Sequence, residues 1–242
     1  MIKFNKLFIK ISVITGLLFL AITILLIVVK NKTTYHTIER ILYDFTGLKV
    51  ELIEPKTTIK PNLDIDFKAN QINIYNKDKT INFLNSYSPE ISIKPLGFIF
   101  KKANIKKITS KEININIKRN EKGEIDLLKE LKPTKLPDAK NFTITRLSCN
   151  VNKLKITFND NYQIKAKTTF DFSDTDIYVS KRKKLLSINQ NGTIETIIGS
   201  NSQKADLKID LKAKYISNDT IDDIKTDISI NNFNLRSLKD LA

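Results

Sequence analysis

The chain of 242 residues is short of the side chains from which active sites are usually built. It has one histidine, His36, and one cysteine, Cys149. With one of each, neither the usual zinc sites nor a Ser-His-Asp or Cys-His arrangement can be assembled. A lone cysteine also excludes an intrachain disulfide. Cys149 falls in beat with Leu147 and Val151 and reads as a small buried apolar residue. Tryptophan is absent and glycine occurs six times, leaving few phosphate cradles; neither GxGxxG nor a P-loop is present. Carboxylates such as Asp222-Asp223 are plentiful, but they sit in turns or on polar strand faces. A glycosidase-like carboxylate pair stays open on sequence alone, with no motif behind it. The chain reads as a non-enzyme that needs no cofactor and no metal.

Charge is unbalanced, at a formal +15. Such a surface suits anionic company, including lipid headgroups, or is simply solvated. The denser spots hold Lys101, Lys102, Lys106 and Lys107, and then Lys181, Arg182, Lys183 and Lys184. Nucleic acid is not expected as a partner. Its binding calls for aromatics interleaved with Arg and Lys, whereas here the aromatics mostly share the apolar beat and the cations are mostly Lys.

Residues 11–29, ISVITGLLFLAITILLIVV, carry no charge. At helical rise they reach about 28 Å, close to the hydrocarbon thickness of a bilayer. No small-x-small cleavage site follows, so the run predicts an uncleaved membrane anchor. Lys3, Lys6 and Lys10 place residues 1–10 in the cytoplasm by the positive-inside rule, and the rest of the chain on the outer side. Residues 33–46 then predict a short amphipathic helix, with Ile38, Ile41, Leu42 and Phe45 on one face and Gly47 as its stop.

Beyond Gly47 the period is two almost everywhere, which predicts a mainly β, mainly antiparallel protein. In 63-LDIDFKANQINIYN-76, Leu63, Ile65, Phe67 and Ala69 alternate with polar residues. One extra residue breaks the beat, and it resumes at Ile72 and Ile74. The same alternation runs through Ile91 and Ile93, through Ile113, Ile115 and Ile117, and through Ile164, Ala166, Phe170 and Phe172. It returns at Leu207, Ile209 and Leu211. Only 124-EIDLLKEL-131 adds a helical signal, and Pro-punctuated 132–140 reads as a linker between β regions 47–131 and 141–242. Strands with one apolar face must be covered by a second sheet, by closure into a barrel, or by something other than protein. No helices long enough to cover them are apparent. An aliphatic face without polar groups suits an acyl chain.

The order of parts resembles the N-terminal region of the AsmA-like family, which includes TamB- and YhdP-type proteins. The pieces that carry it are Thr46-Gly47-Leu48-Lys49-Val50 after the membrane run, Ile91-Ser92-Ile93-Lys94-Pro95-Leu96, the Ile105 and Ile108 step, and Arg119 through Gly123 to Leu127, Leu128 and Leu131. Two positions depart from the family pattern: Asp126 stands where Asn is usual, and the basic residue after Thr-Gly is displaced to Lys49. The match covers residues 1–131 well and 141–242 loosely. The resemblance implies an inner-membrane anchor, with a curved half-pipe of β-strands in the periplasm. Its apolar floor would pass phospholipid or another envelope lipid between inner and outer membranes, in support of outer-membrane biogenesis and with envelope or outer-membrane proteins as partners. The floor would be the isoleucines, leucines, phenylalanines and alanines named above from Leu63 to Leu211, and the basic clusters its headgroup rim. Family members are usually much longer, so the chain is expected to be a fragment or a short member. The other expectation is an anchored structural or adaptor β-sandwich of the cell envelope.

Overall fold

A computed structural model describes residues 46–62, 64–94, 102–131, 143–162, 165–180, 185–215 and 221–232, together with 35, 36, 39, 40 and 43. Thirteen strands form one sheet. They are β1 (Lys49–Ile53), β2 (Lys56–Ile59), β3 (Ile65–Lys68), β4 (Gln71–Tyr75), β5 (Asn82–Tyr87), β6 (Glu90–Ile93), β7 (Lys102–Ser110), β8 (Glu112–Arg119), β9 (Thr143–Asp160), β10 (Ala166–Ser180), β11 (Leu185–Ile198), β12 (Asn201–Tyr215) and β13 (Ile221–Asn231). The sheet does not close, because β1 and β2 at one end pair with no strand at the other. The fold is therefore mainly β, as the period of two predicts. Among the described residues no helix is long and apolar enough to cross a membrane. The predicted span 11–29 lies outside those residues, as does the linker 132–140.

The register reduces thirteen strands to nine rows. β1 pairs with β4 and β2 with β3 on one continuous count, and so do β4 with β5 and β3 with β6. β5 with β8 and β6 with β7 follow suit. Each of the pairs β1/β2, β3/β4, β5/β6 and β7/β8 is thus one long strand bent once. β7 and β8 then run end to end, parallel to β9, and from β9 to β13 the sheet is an antiparallel meander. The parallel step is the one departure from the antiparallel expectation. Parallel neighbours need a crossover; here it holds the short helix Asp126–Glu130, whose flank contributes Leu127 and Leu131 to the core.

The bends fall on one line across the sheet. Glu54 stands opposite Asn70, Asn70 opposite Ser88, Ser88 opposite Lys111, Lys111 opposite Asn152, and Asn152 opposite Asp174. Backbone hydrogen bonds continue through this crease: Asn70 N–H to Ile53 O at 2.9 Å, Ser88 N–H to Asn70 O at 2.8 Å, and Lys111 N–H to Tyr87 O at 3.0 Å. The Asn70 amide also donates to Glu54 Oε2 at 2.6 Å. Glu54, Ser88 and Asp174 hold positive φ of 49°, 50° and 55°. Proline follows both Glu54 and Ser88, and inside a sheet proline is confined to bulges or edges because it cannot donate to the ladder. The extra residue in 63–76 is therefore a designed bend that splits that segment into β3 and β4.

Each of these six rows slips by one residue at the crease. Positions on this face run Val50, Leu52 then Thr57 in the first row, Ile65, Phe67 then Ile72, Ile74 in the second, and Leu84, then Ile91, Ile93 in the third. An isolated slip throws the rest of a strand's side chains to the opposite face. Six slips in line keep one apolar face continuous and bend the sheet there. The two wings meet in one core: Val50, Leu52, Ile72, Ile74 and Leu84 from one side, and Ile65, Phe67, Ile91, Ile93, Ile105 and Ile108 from the other.

The N-terminal edge is capped. Tyr35, His36, Glu39, Arg40, Tyr43 and Thr46 are helical. Gly47, at φ 78°, ends the helix as its spacing predicts, donating to Tyr43 O at 2.8 Å. Glu39 Oε1 accepts the Leu52 N–H at 2.8 Å, and Tyr35 Oη lies 3.1 Å from Thr57 Oγ1.

The crease yields a prediction. Ser88 is exposed, and left-handed backbone costs a non-glycine residue about 1–3 kcal/mol. Ser88→Gly should raise unfolding free energy by about 1 kcal/mol, and Ser88→Val should lower it by a similar amount, both read by chemical denaturation. The opposite order would mean that residue 88 is not held left-handed.

Candidate functional site

Four transverse rows of side chains make up the apolar face. One runs Leu52–Ile72–Ser86–Ile113–Leu154–Phe172–Gly192–Leu207–Ile230. Its neighbour runs Ile74–Leu84–Ile115–Ile156–Phe170–Ile194–Ala205. Across the crease lie Phe67–Ile91–Ile108–Cys149–Ile177–Ile188–Leu211 and Ile65–Ile93–Ile105–Leu147–Val179–Leu186–Ala213. The floor residues expected from sequence thus share one face wherever they are described.

Their surroundings differ along the sheet. Ile65, Phe67, Ala69, Ile72, Ile74, Ile91, Ile93 and Ile113 are packed in the protein core, with Ile72 and Ile91 only 1% exposed. They are not open floor; the bend and the flanking helices cover them. Ile115 packs partly buried against that core, and Ile117 is half-buried. From β9 onward the cover thins. Phe172 and Leu207 remain buried, while Ala166, Phe170, Ile209 and Leu211 are half-buried. At β13, Ile224, Ile228 and Ile230 are 61%, 59% and 52% exposed. These three complete the face, and their own alternation is the sequence signal that finds them. Leu63 and Ile164 lie outside the described residues.

The polar groups on this face fall in two places: near the crease, and at Thr168, Thr196 and Gln203, where the Thr168 and Thr196 hydroxyls lie 3.2 Å apart. Ser86 Oγ and Ser110 Oγ are 2.9 Å apart, and Ser110 donates to the Tyr87 and Glu112 carbonyls. Thr175 accepts from Gln190 Nε2 at 3.4 Å. Burial pushes the Cys149 thiol up to about 11, with the Asp176 charge adding to the shift, so no thiolate nucleophile forms near neutrality. At Gly192 the neighbouring strand comes too close for a side chain: a Cβ there would lie 2.2 Å from Asp171 O and 2.6 Å from Phe172 Cα.

Of the basic rim expected from sequence, the described members Lys106 and Lys107 stand on the polar face in ion pairs. Lys106 pairs with Asp64, and Lys107 lies 3.7 Å from Glu90. Beside them, Lys60 Nζ is 2.6 Å from Asp66, which also accepts from Ser92 Oγ at 2.7 Å. Burial works to raise the Asp66 carboxyl, but those two hydrogen bonds outweigh it and hold it below its usual value. Lys101 and residues 181–184 lie outside the described residues, and so does the side chain of Lys102. Among the described residues no cluster of His, Cys, Asp and Glu is placed to hold a metal ion.

The surface that remains is one aliphatic sheet face over β9–β13, buried at Val151, Phe172, Ala205, Leu207 and Ala213, half-buried over most of the rest and open at β13, and continuous with a closed core over β1–β8. An exposed contiguous apolar face marks a binding surface more often than a solvated one. No family model matches this chain, and no curated protein does.

The contrast between the halves is testable by truncation. Phe67→Ala should cost about 3–5 kcal/mol of unfolding free energy, as for a full core site. Ile228→Ala, which removes a side chain more than half exposed, should cost under about 1 kcal/mol. Equal losses would mean that the β13 end is as covered as the core.

Proposed function

We propose that this protein binds lipid acyl chains on the β9–β13 half of its apolar face and belongs to the AsmA-like, membrane-anchored envelope proteins that move phospholipid between inner and outer membranes. The observation that carries this reading is one continuous aliphatic face, sealed at Ile72 (1% exposed), mostly half-buried over β9–β12 and more than half exposed at Ile224, Ile228 and Ile230 of β13. Acyl chains need only apolar contact, at about 25 cal/mol per Å² covered. Residues 11–29 supply the anchor, with residues 1–10 in the cytoplasm and the sheet in the periplasm. Movement is passive along the trough, with any driving force supplied by partner proteins of the envelope, and the chain carries out no reaction. The order of the Thr46-Gly47, Ile91-to-Leu96 and Arg119-to-Leu131 pieces supports the family assignment.

The packed core of β1–β8 favours a second role for that half alone: an anchored structural or adaptor unit which holds the open half at a fixed distance from the membrane.

Native mass spectrometry of the full chain, extracted in mild detergent, tests the proposal. Phospholipid adducts of defined stoichiometry are expected. They should fall at least tenfold in Leu211→Asp and Ile188→Asp, both on the half-buried floor. A bare protein mass, with a melting curve indifferent to added lipid, would overturn it.

A further inference from the structure

The opposite face of the sheet carries a depression unrelated to the apolar floor. Its volume is about 500 Å³, and Asn85, Glu112, Asn114, Asn116, Lys153, Lys155, Thr157, Asn159 and Lys167 line it. It is open to solvent and its lining is mostly polar. Register builds it: Asn85, Asn114 and Lys155 stand side by side across β5, β8 and β9, Asn116 stands beside Thr157, and Asn159 beside Lys167.

Cations on this polar face are of two kinds, and Lys118, Lys204 and Lys208 are among those with no carboxylate within ion-pairing distance among the described residues. Lys60, Lys68, Lys79, Lys106 and Lys107 each have a carboxylate partner. Lys153, Lys155 and Lys167 have none within ion-pairing distance among the described residues, although Asp171 stands directly across from Lys155. The one lining carboxylate, Glu112, accepts from the Asn114 amide at 3.0 Å. Asn85 uses its carbonyl to accept from Asn82 at 2.7 Å, which leaves its amide N–H groups to donate.

We infer that this depression is a binding site for a phosphorylated polyol, a glycerophosphate or sugar phosphate. Lys153 and Lys155, two residues apart on the same face of β9, suit the phosphate as point charges, with Lys167 at the far end of the depression beside Asn159. The asparagine amides and the Thr157 hydroxyl can both donate to and accept from ligand hydroxyls. No aromatic residue lines the site, so it offers no stacking platform for a nucleic-acid base. The group can arrive free or as the headgroup of a lipid; the chemistry of recognition is the same.

Calorimetric titration of the full chain in detergent, with sn-glycerol 3-phosphate as probe and glycerol as the uncharged control, tests the inference. Binding of glycerol phosphate but not glycerol is expected. Lys155→Gln and Lys167→Gln should each weaken it at least fivefold, and Lys155→Arg should retain it. Lys204→Gln, an exposed lysine on β12 outside the depression, should leave it unchanged. Leu211→Asp should leave it unchanged too, so this site and the apolar floor stand or fall separately. A second arm uses nanodiscs of phosphatidylglycerol against phosphatidylcholine. Lost phosphatidylglycerol preference in the Lys155→Gln, Lys167→Gln double variant identifies a lipid headgroup as the source, and retained preference identifies a soluble phosphate. No heat with glycerol phosphate, or equal weakening by Lys204→Gln, would overturn the inference.

Discussion

Side chains on a strand alternate by two, and this structure depends on what happens when that count is broken. Six neighbouring rows each lose one residue of beat along a single line, from Glu54 to Asp174. Were one row to slip elsewhere, its aliphatic residues would turn to water and the Lys, Asn and Asp of its other face would turn inward. That cost falls on several buried isoleucines at once, at about 1.5–3 kcal/mol each. Register and bend are therefore one constraint. The strained backbone at Glu54, Ser88 and Asp174 is kept because the surrounding ladder leaves no alternative.

The crease divides labour along the sheet. Over β1–β8 it brings two wings into one core, with helical residues at the N-terminal edge and at Leu127 and Leu131 helping to seal it. Beyond β10 the strands pass the line unbroken. β11 keeps its count through Ile188, Gly192 and Ile194, and the mismatch with its neighbour is absorbed at Asp174 between Ser173 and Asp176. Without the bend, no second wing returns to cover the aliphatic side. The aliphatic side opens fully only at β13, where Ile224, Ile228 and Ile230 are more than half exposed, while Ala205, Leu207 and Ala213 on β12 stay buried. The proposed lipid surface follows from that geometry rather than from any chemical group.

Much of the fold could be read from sequence because period two is local: each strand announces itself within a few residues. Even the crease leaves local signs, in the lost beat at Asn70 and in the Glu54-Pro55 and Ser88-Pro89 pairs. That the slips align is not local. It depends on pairings such as Lys111 beside Asn152, which no periodicity reveals. The parallel seating of β7 and β8 on β9 is hidden for the same reason. Cover is hidden more deeply still. Ile72 and Ile209 obey the same alternation, yet one is sealed in the core and the other half-open, because what lies above a strand is set by the bend and not by the strand. Lys106 and Lys107 illustrate the electrostatic version: a basic run reads as a free rim until Asp64 and Glu90, distant in sequence, are placed beside it.

The most direct test of an open, lipid-bearing face over β9–β13 is site-specific photocrosslinking in cells. A photoreactive residue would replace Ile209 on the apolar face, and in parallel Lys208 on the polar face. The account predicts phospholipid crosslinked at position 209 and little or none at 208. Equal labelling at both, or protein but no lipid at 209, would mean that the face is covered by another chain and is not a lipid floor.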